Sequence, residues 1–80
     1  EVTAAEALMP TVRALATSIA EGPPIAIQLA RRAMYRNADC GLREALEFES
    51  FAQNICRDTE DSKEGVRAFV EKRAPQFKGR

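Results

Sequence analysis

Three short breaks divide this chain into four stretches with helical periodicity, and they limit its fold more than any other feature. The breaks lie at residues 21–24, 37–41 and 58–62. Gly22 suits the position just after a helix, and a proline suits the first turn of the next helix. No stretch alternates apolar and polar residues with β-branched enrichment, as a half-buried strand would. The sequence therefore predicts an all-α fold of about four short helices.

The apolar spacing gives the bounds of each element within a single helical domain over residues 1–80. The four helices and the basic tail after them span about residues 4–20, 24–36, 42–57, 62–72 and 73–80. A chain of this length buries only about 60% of its unfolded surface and is marginally stable alone. Some apolar residues fall off the main faces, which predicts packing on a further surface. These residues are Ile25, Ile27, Leu46 and Phe77.

The first predicted helix has a clear start and a clear apolar face. Thr3 suits the N-cap, and Glu6 three residues later completes a capping box. Its apolar stripe consists of Ala5, Leu8, Met9, Val12, Leu15, Ala16 and Ile19. Pro10 lies on the opposite face with Arg13 and Thr17. This proline predicts a bend in the helix, and the alternative is a new helix start at Pro10.

Composition excludes several classes of function. With 12 basic and 12 acidic residues the net charge is zero, so no basic field favours nucleic acid. No apolar run approaches the ~18 residues of a membrane span, and no basic segment precedes a short apolar run, so we expect no signal peptide. Without histidine, a Cys/His zinc site and the usual Cys-His or Ser-His-Asp catalytic groups are excluded. Cys40 and Cys56 leave a disulfide open, but we interpret both as reduced, partly buried residues of a cytoplasmic protein.

The stretch SKEGVRAFVEKRAPQFKGR, residues 62–80, carries the strongest candidate site. Its helix has an apolar stripe formed by Val66, Phe69 and Val70. Lys72 and Arg73 follow Phe69 by three and four residues, so a ring and two cations meet at one edge. Such an edge suits an aromatic ligand that carries phosphate. The alternative is a basic C-terminal turn favoured by the helix dipole.

Two stretches resemble a known family. GPPIAIQLARRAM at 22–34 and LREALEFESFAQNICRDTEDSKEGVRAFVEKRAPQFKGR at 42–80 look like the C-terminal helical region of the enoyl-CoA hydratase/isomerase (crotonase) superfamily. The family pattern is a Gly-Pro-Pro-led helix with a basic pair, a Glu-rich helix, an acidic turn, and then Lys-Glu-Gly and Ala-Phe-x-Glu-Lys-Arg-x-Pro-x-Phe. One departure is Arg31, where many relatives have lysine.

The resemblance implies a much longer complete protein. Its N-terminal core, a spiral of ββα turns absent from this chain, would carry the oxyanion-hole amides and two catalytic glutamates. Those residues would add water to a 2-enoyl-CoA in fatty-acid or related acyl-CoA degradation. Four acidic residues of this chain do not match the catalytic motifs, namely Glu44, Glu47, Glu49 and Glu64. The chain itself is therefore expected to be inactive.

The resemblance also implies a role for the edge described above. Phe69 and Lys72 would line the adenine and phosphate end of coenzyme A, because a ring covers a purine face and an ammonium offsets a 3′-phosphate. No cofactor would be tightly bound, and a coenzyme A thioester would be the substrate. The expected partners are the N-terminal core domain and further copies in a trimer or hexamer, with no nucleic acid or membrane. The isolated chain should self-associate.

Two other functions stay open at this stage. The first is a free-standing helical interaction module that offers its apolar stripes to a partner helix. An open reading frame that starts near Glu1 without an upstream core would favour it. The second, a small acyl-carrier or nucleic-acid-binding bundle, is disfavoured by the neutral charge and by the lack of a phosphopantetheine attachment motif. The sequence of this region does not distinguish a hydratase of the family from an isomerase, a dehalogenase or a thioester hydrolase. It also does not indicate the length of the acyl chain of the substrate.

Overall fold

The computed structural model describes residues 2–80, and within them the chain forms four α-helices joined by short turns. The helices are α1 (Ala5–Ala20), α2 (Pro24–Asn37), α3 (Leu42–Arg57) and α4 (Glu60–Glu71). Residues 2–80 contain no strand, so the prediction of an all-α fold is confirmed. Over the same range, no helix combines the length and the apolar character that crossing a bilayer requires.

Helix α1 begins without the capping box predicted from Thr3 and Glu6. Its N-cap is Ala4, one residue after Thr3, and an alanine side chain cannot accept a hydrogen bond. The first turn is closed instead by the N–H of Ala7, which donates to the Ala4 carbonyl at 3.0 Å. Pro10 lies inside a continuous helix, so the alternative of a new helix start at this residue is wrong.

The turn between α1 and α2 follows the predicted glycine and proline positions. Gly22 comes just after the C-cap Glu21, and its N–H donates to the Ile19 carbonyl at 3.1 Å. A Cβ on Gly22 would lie 2.8 Å from Cδ1 of Ile27, so glycine lets α2 begin close to the end of α1. Pro24 occupies the first turn of α2, where a missing N–H leaves no intrahelical bond unmade.

The helices pack in sequence rather than around a common centre. Helix α2 packs mainly on α3, and α3 packs on α4, whereas α1 makes little contact with the other three. Small side chains of α2, including Ala26 and Ala33, line one shallow groove with Ala52 of α3. At the side of this contact, the Arg36 guanidinium lies 5.0 Å from the centroid of the Phe48 ring. This cation–π contact contributes about 0.5–1 kcal/mol at an exposed site.

The arrangement is open for a chain of this size. The Cα radius of gyration is 15.7 Å, against about 12 Å for a compact domain of 80 residues. The accessible surface is 6793 Å², roughly 2,000 Å² more than a folded protein of this mass exposes. Ala68 is the one apolar residue of the described chain that is buried. The four helices therefore do not enclose a core of their own, and the α1 stripe is left largely uncovered.

Candidate functional site

Helix α4 begins two residues before its predicted start at Ser62, because Thr59 is its N-cap. The Thr59 hydroxyl accepts from the N–H of Ser62 at 3.0 Å and donates to the Cys56 carbonyl at 2.7 Å. Glu60 and Asp61 thereby occupy the first turn, where carboxylates favour the positive end of the helix dipole. The cap joins the end of α3 to the start of α4.

Helix α4 ends at Lys72 in a left-handed conformation. Lys72 is the C-cap, with φ 54° and ψ 40°, and is the one non-glycine residue in 2–80 with a positive φ. Its N–H donates to the Phe69 carbonyl at 3.3 Å, and the next N–H, of Arg73, donates to the Ala68 carbonyl at 3.1 Å. A side chain in this conformation costs about 1–2 kcal/mol, which is why glycine is usual there. The left-handed residue reverses the chain.

After Lys72 the basic tail, residues 73–80, runs back to the start of α4, where Asp61 holds it. The Asp61 carboxylate accepts from the N–H of Lys78 at 2.6 Å and of Gly79 at 2.8 Å. Its own N–H donates to the Arg80 carbonyl at 3.1 Å. Asp61 is only 3% exposed, and these bonds to backbone N–H groups satisfy its buried charge. The tail is therefore an ordered part of this region.

A cavity of about 270 Å³ lies beneath the tail. Phe77 of the tail and Ile25 of α2 line it together with Gly65 and Cys56. A Cβ on Gly65 would lie 3.7 Å from the Phe77 ring, so the ring rests on the bare backbone of α4. Ile25 and Phe77, which lie off the predicted helix faces, thus line the same cavity.

Arg73 binds two carboxylates of α4. Its Nη1 and Nη2 donate to the two oxygens of Glu64 at 2.6 and 3.0 Å, and its Nε donates to Glu71 at 2.6 Å. Glu64 also accepts from the N–H of Gln76 at 2.9 Å. These hydrogen bonds, first from Arg73 and then from Gln76, lower the pKa of Glu64 from 4.5 to about 2. The same contacts, chiefly with Glu64, raise the pKa of Arg73 above its ordinary value.

The structure places the predicted site residue Phe69 in the last turn of α4 and Lys72 at the C-cap of the same helix. Phe69 is 85% exposed, and Lys72 is exposed and forms no ion pair with any residue from 2 to 80. Arg73 does not add a second free cation to this edge, because its guanidinium is bound by Glu64 and Glu71. The edge therefore presents one ring and one unpaired ammonium.

The predicted apolar stripe of α4 does not pack within this chain. Val66 and Val70 are 66% and 73% exposed. The helix instead buries Asp61 and Ala68, on the side where the tail and α3 lie. Side-chain spacing alone favours the valines for packing, but the returning tail covers the other side of α4.

Sequence reasoning did not find the Glu64–Arg73 pair or the role of Asp61. The two charges of the pair are nine residues apart, which matches no helical spacing, and only the reversal at Lys72 brings them together. Asp61 belongs to the break at 58–62, and its hydrogen bond to Lys78, 17 residues away, depends on the same reversal. The available signal was the Lys-Glu-Gly sequence at 63–65, within a helix that is followed by the basic pair Lys72-Arg73.

Other chemistry is limited in the part of the chain that the structure describes. Cys40 and Cys56 are free and partly buried. Within residues 2–80, no group of three or more His, Cys, Asp or Glu side chains is arranged to hold a metal ion.

Comparison with known proteins agrees with the resemblance seen in the sequence. Residues 1–80 match the family model described as enoyl-CoA hydratase/isomerase. The chain is 40% identical over 74 residues to the short-chain-enoyl-CoA hydratase of Clostridium acetobutylicum, covering 91% of this chain and 28% of that protein. It is 35% identical over 79 residues to the (E)-benzylidenesuccinyl-CoA hydratase of Thauera aromatica, covering 99% of this chain and 31% of that one.

A solved structure shows the same helical arrangement. The crystal structure of the enoyl-CoA hydratase from Bacillus anthracis superposes with a TM-score of 0.93 at 34% identity. The match covers 99% of this chain and 31% of that one. The chain thus spans less than a third of the length of these relatives. The match of the family model to every residue, together with these relatives, shows that the chain belongs to the enoyl-CoA hydratase/isomerase family.

Proposed function

We propose that this chain is the C-terminal helical part of an enzyme that adds water to a 2-enoyl-CoA. Family membership supports this assignment, and both relatives described above are named as hydratases of CoA thioesters. The catalytic glutamates would lie in the N-terminal core domain of the complete enzyme. The part of the chain described here would hold the nucleotide end of coenzyme A and contribute contacts between subunits.

The observation that carries the site assignment is the exposed Phe69 ring one turn from an unpaired Lys72. The names of the relatives share coenzyme A but differ in the acyl group, short-chain enoyl in one and benzylidenesuccinyl in the other. A site shared by such enzymes would recognise the common part of the substrate. A ring that covers adenine and an ammonium beside the 3′-phosphate are suited to that end of the molecule.

The open shape of the chain supports the second part of the proposal, contacts with a core domain and with other subunits in a trimer or hexamer. The excess surface of roughly 2,000 Å² is on the scale of permanent interfaces, which bury about 2,000–5,000 Å² in total. Much of the uncovered apolar surface lies on α1, which has little contact with α2, α3 or α4. Its half-exposed apolar side chains are Leu8, Met9, Val12, Leu15 and Ile19.

Replacing Lys72 in the complete enzyme tests the assigned site. Lys72→Ala removes a contact remote from the reacting carbons, so it should raise KM about tenfold and leave kcat nearly unchanged. The variant should bind free coenzyme A more weakly than the wild type does. It should bind 3′-dephospho-CoA, which lacks the phosphate, with unchanged affinity. Both affinities can be measured by titration calorimetry.

Lys63→Ala is the matched control, since Lys63 is an exposed lysine near the other end of α4. It should leave both affinities unchanged. Unchanged kinetics and an unchanged affinity for coenzyme A in Lys72→Ala would overturn the site assignment.

A further inference from the structure

Lys72 is held in its left-handed conformation from both sides. Before it, the helix fixes the chain through the bond from the Lys72 N–H to the Phe69 carbonyl. After it, the Arg73 N–H binds the Ala68 carbonyl, and the Arg73 side chain reaches back two turns to Glu64. A lysine with no such restraint would favour right-handed backbone, because its Cβ is crowded in the left-handed one. The contacts of Arg73 therefore keep Lys72 where it is.

The link from Arg73 to Glu64 is suited to holding a fixed geometry. It is bidentate, with both carboxylate oxygens bound, and the side chain of Glu64 is only 17% exposed. A planar guanidinium fork fixes orientation as well as distance, which a lysine ammonium does not. Glu64 binds the N–H of Gln76 with the same oxygen that receives Nη1, so two points of the tail after the turn are anchored at one carboxylate.

The same pair controls the charge beside Lys72. Glu71 immediately precedes Lys72 and binds Nε of Arg73, while Glu64 binds its terminal nitrogens. Arg73 thus offsets two carboxylates that would otherwise oppose an anionic ligand at this edge. The exposed ammonium of Lys72 is left without a carboxylate partner among residues 2–80.

We propose that Glu64 and Arg73 are positioning residues that hold Lys72 for the 3′-phosphate of coenzyme A. This inference rests on the proposed function and adds a specific device to it. Neither residue touches the ligand. Their bidentate pair fixes the backbone of the turn, so the affinity for the phosphate depends on residues that act through Lys72.

A double-mutant cycle in the complete enzyme tests this inference. Arg73→Lys keeps the positive charge but loses the fork, and Glu64→Gln keeps the side-chain size but loses the charge. Each should weaken the binding of coenzyme A about threefold to tenfold, with kcat unchanged and no effect on 3′-dephospho-CoA. In a Lys72→Ala background neither change should weaken binding further, because there is no ammonium left to position. Titration calorimetry with both nucleotides measures all four corners of each cycle.

Glu60→Gln is the matched control for the loss of a tail contact. It removes an ion pair of 3.1 Å with Arg80 at the other end of the tail and should leave the affinity unchanged. A thermal melt of each variant confirms that the enzyme is folded.

The outcomes separate the two proposals. If Lys72→Ala leaves the affinity for coenzyme A unchanged, the proposed site itself is wrong. If Lys72→Ala weakens binding but Glu64→Gln and Arg73→Lys do not, only the positioning role is overturned. It is also overturned if Glu64→Gln costs as much affinity with Lys72→Ala as without it, because the effect would then not pass through Lys72.

Discussion

Glu64 is the residue on which most of the turn at the end of α4 depends. Its carboxylate receives three hydrogen bonds, two from Arg73 and one from the N–H of Gln76. All three favour the ionised form, which is why the pKa of Glu64 falls to about 2. A protonated carboxyl could not accept all three hydrogen bonds, because its O–H group would point at an N–H donor instead of accepting from it. Attachment of this part of the tail is therefore linked to pH.

We predict that the turn loosens as the pH falls from 4.5 towards 2. A carboxyl whose pKa is lower in the folded state stabilises the fold above its unfolded pKa of 4.5, and this contribution is lost as the pH falls through about 2. The protection factor of the Gln76 amide in hydrogen exchange, which corrects for the intrinsic rate, should decline over this interval. Protection that is constant down to pH 2 would contradict the prediction.

Variants of the same pair identify the group responsible. In Arg73→Ala the pKa of Glu64 should return towards 4.5, because the largest cause of its shift is gone. The loss of Gln76 protection should then occur at higher pH. In Glu64→Gln the pH dependence should disappear, and an unchanged decline in this variant would assign it to other carboxyl groups.

At the scale of elements, the start of α4 depends on one hydroxyl. Thr59 both caps α4 and binds the Cys56 carbonyl at the end of α3, so it couples two helices. We predict that Thr59→Ala destabilises this corner by about 1–2 kcal/mol, the range found for lost N-caps. Native-state hydrogen exchange of the amides in the first turn of α4 would measure the change in the free energy of local opening.

Thr59→Ser is the conservative partner of that variant, since serine keeps both hydrogen bonds of the hydroxyl. It should retain most of the stability of the wild type. Equal losses in the alanine and serine variants would show that the methyl group of Thr59, and not its hydroxyl, stabilises the corner.

The same helix shows what could be predicted from the sequence and what could not. The bounds of α3, Leu42–Arg57, agree with the predicted 42–57, because Gly41 and the acidic turn mark both ends clearly. The start of α4 was placed two residues late, because residues 58–62 include several side chains able to cap and only the geometry selects Thr59. The turn at Lys72 could not be predicted, since the left-handed conformation it adopts is normally occupied by glycine.

The candidate site was accordingly predicted only in part. Helical spacing predicts that Phe69 and Lys72 share one edge, whereas the structure places Phe69 in the last turn of α4 and Lys72 at its left-handed C-cap. The pairing of Arg73 with Glu64 follows from the chain reversal, and that in turn determines which of two neighbouring cations is free. Local periodicity identifies residues that share a helix face, but contacts made by a returning tail depend on tertiary structure.

At the scale of the whole molecule, the four helices form an open arrangement that extends 42 by 39 by 18 Å. The apolar stripes predicted from spacing are present, but several face outward. On α1 the five large side chains from Leu8 to Ile19 are each 47–62% exposed. Contiguous apolar surface of this kind is rare on monomeric proteins. Periodicity therefore identified the apolar face of α1, but it could not show that residues 2–80 leave this face uncovered.

We predict that the 80-residue chain, produced on its own, associates with itself to cover this surface. Light scattering should give a mean mass above 8.8 kDa that rises with concentration, because association buries apolar area at about 25 cal/mol per Å². Replacing Leu8 and Leu15 together by glutamate places charges in the middle of the α1 stripe and should shift the chain towards monomer.

Thr17→Glu, on the opposite face, adds a charge without touching the stripe and should leave association intact. A sharp monomer mass for the unmodified chain at high micromolar concentration would contradict the prediction, as would equal dissociation by both variants, because net charge rather than the α1 stripe would then control assembly.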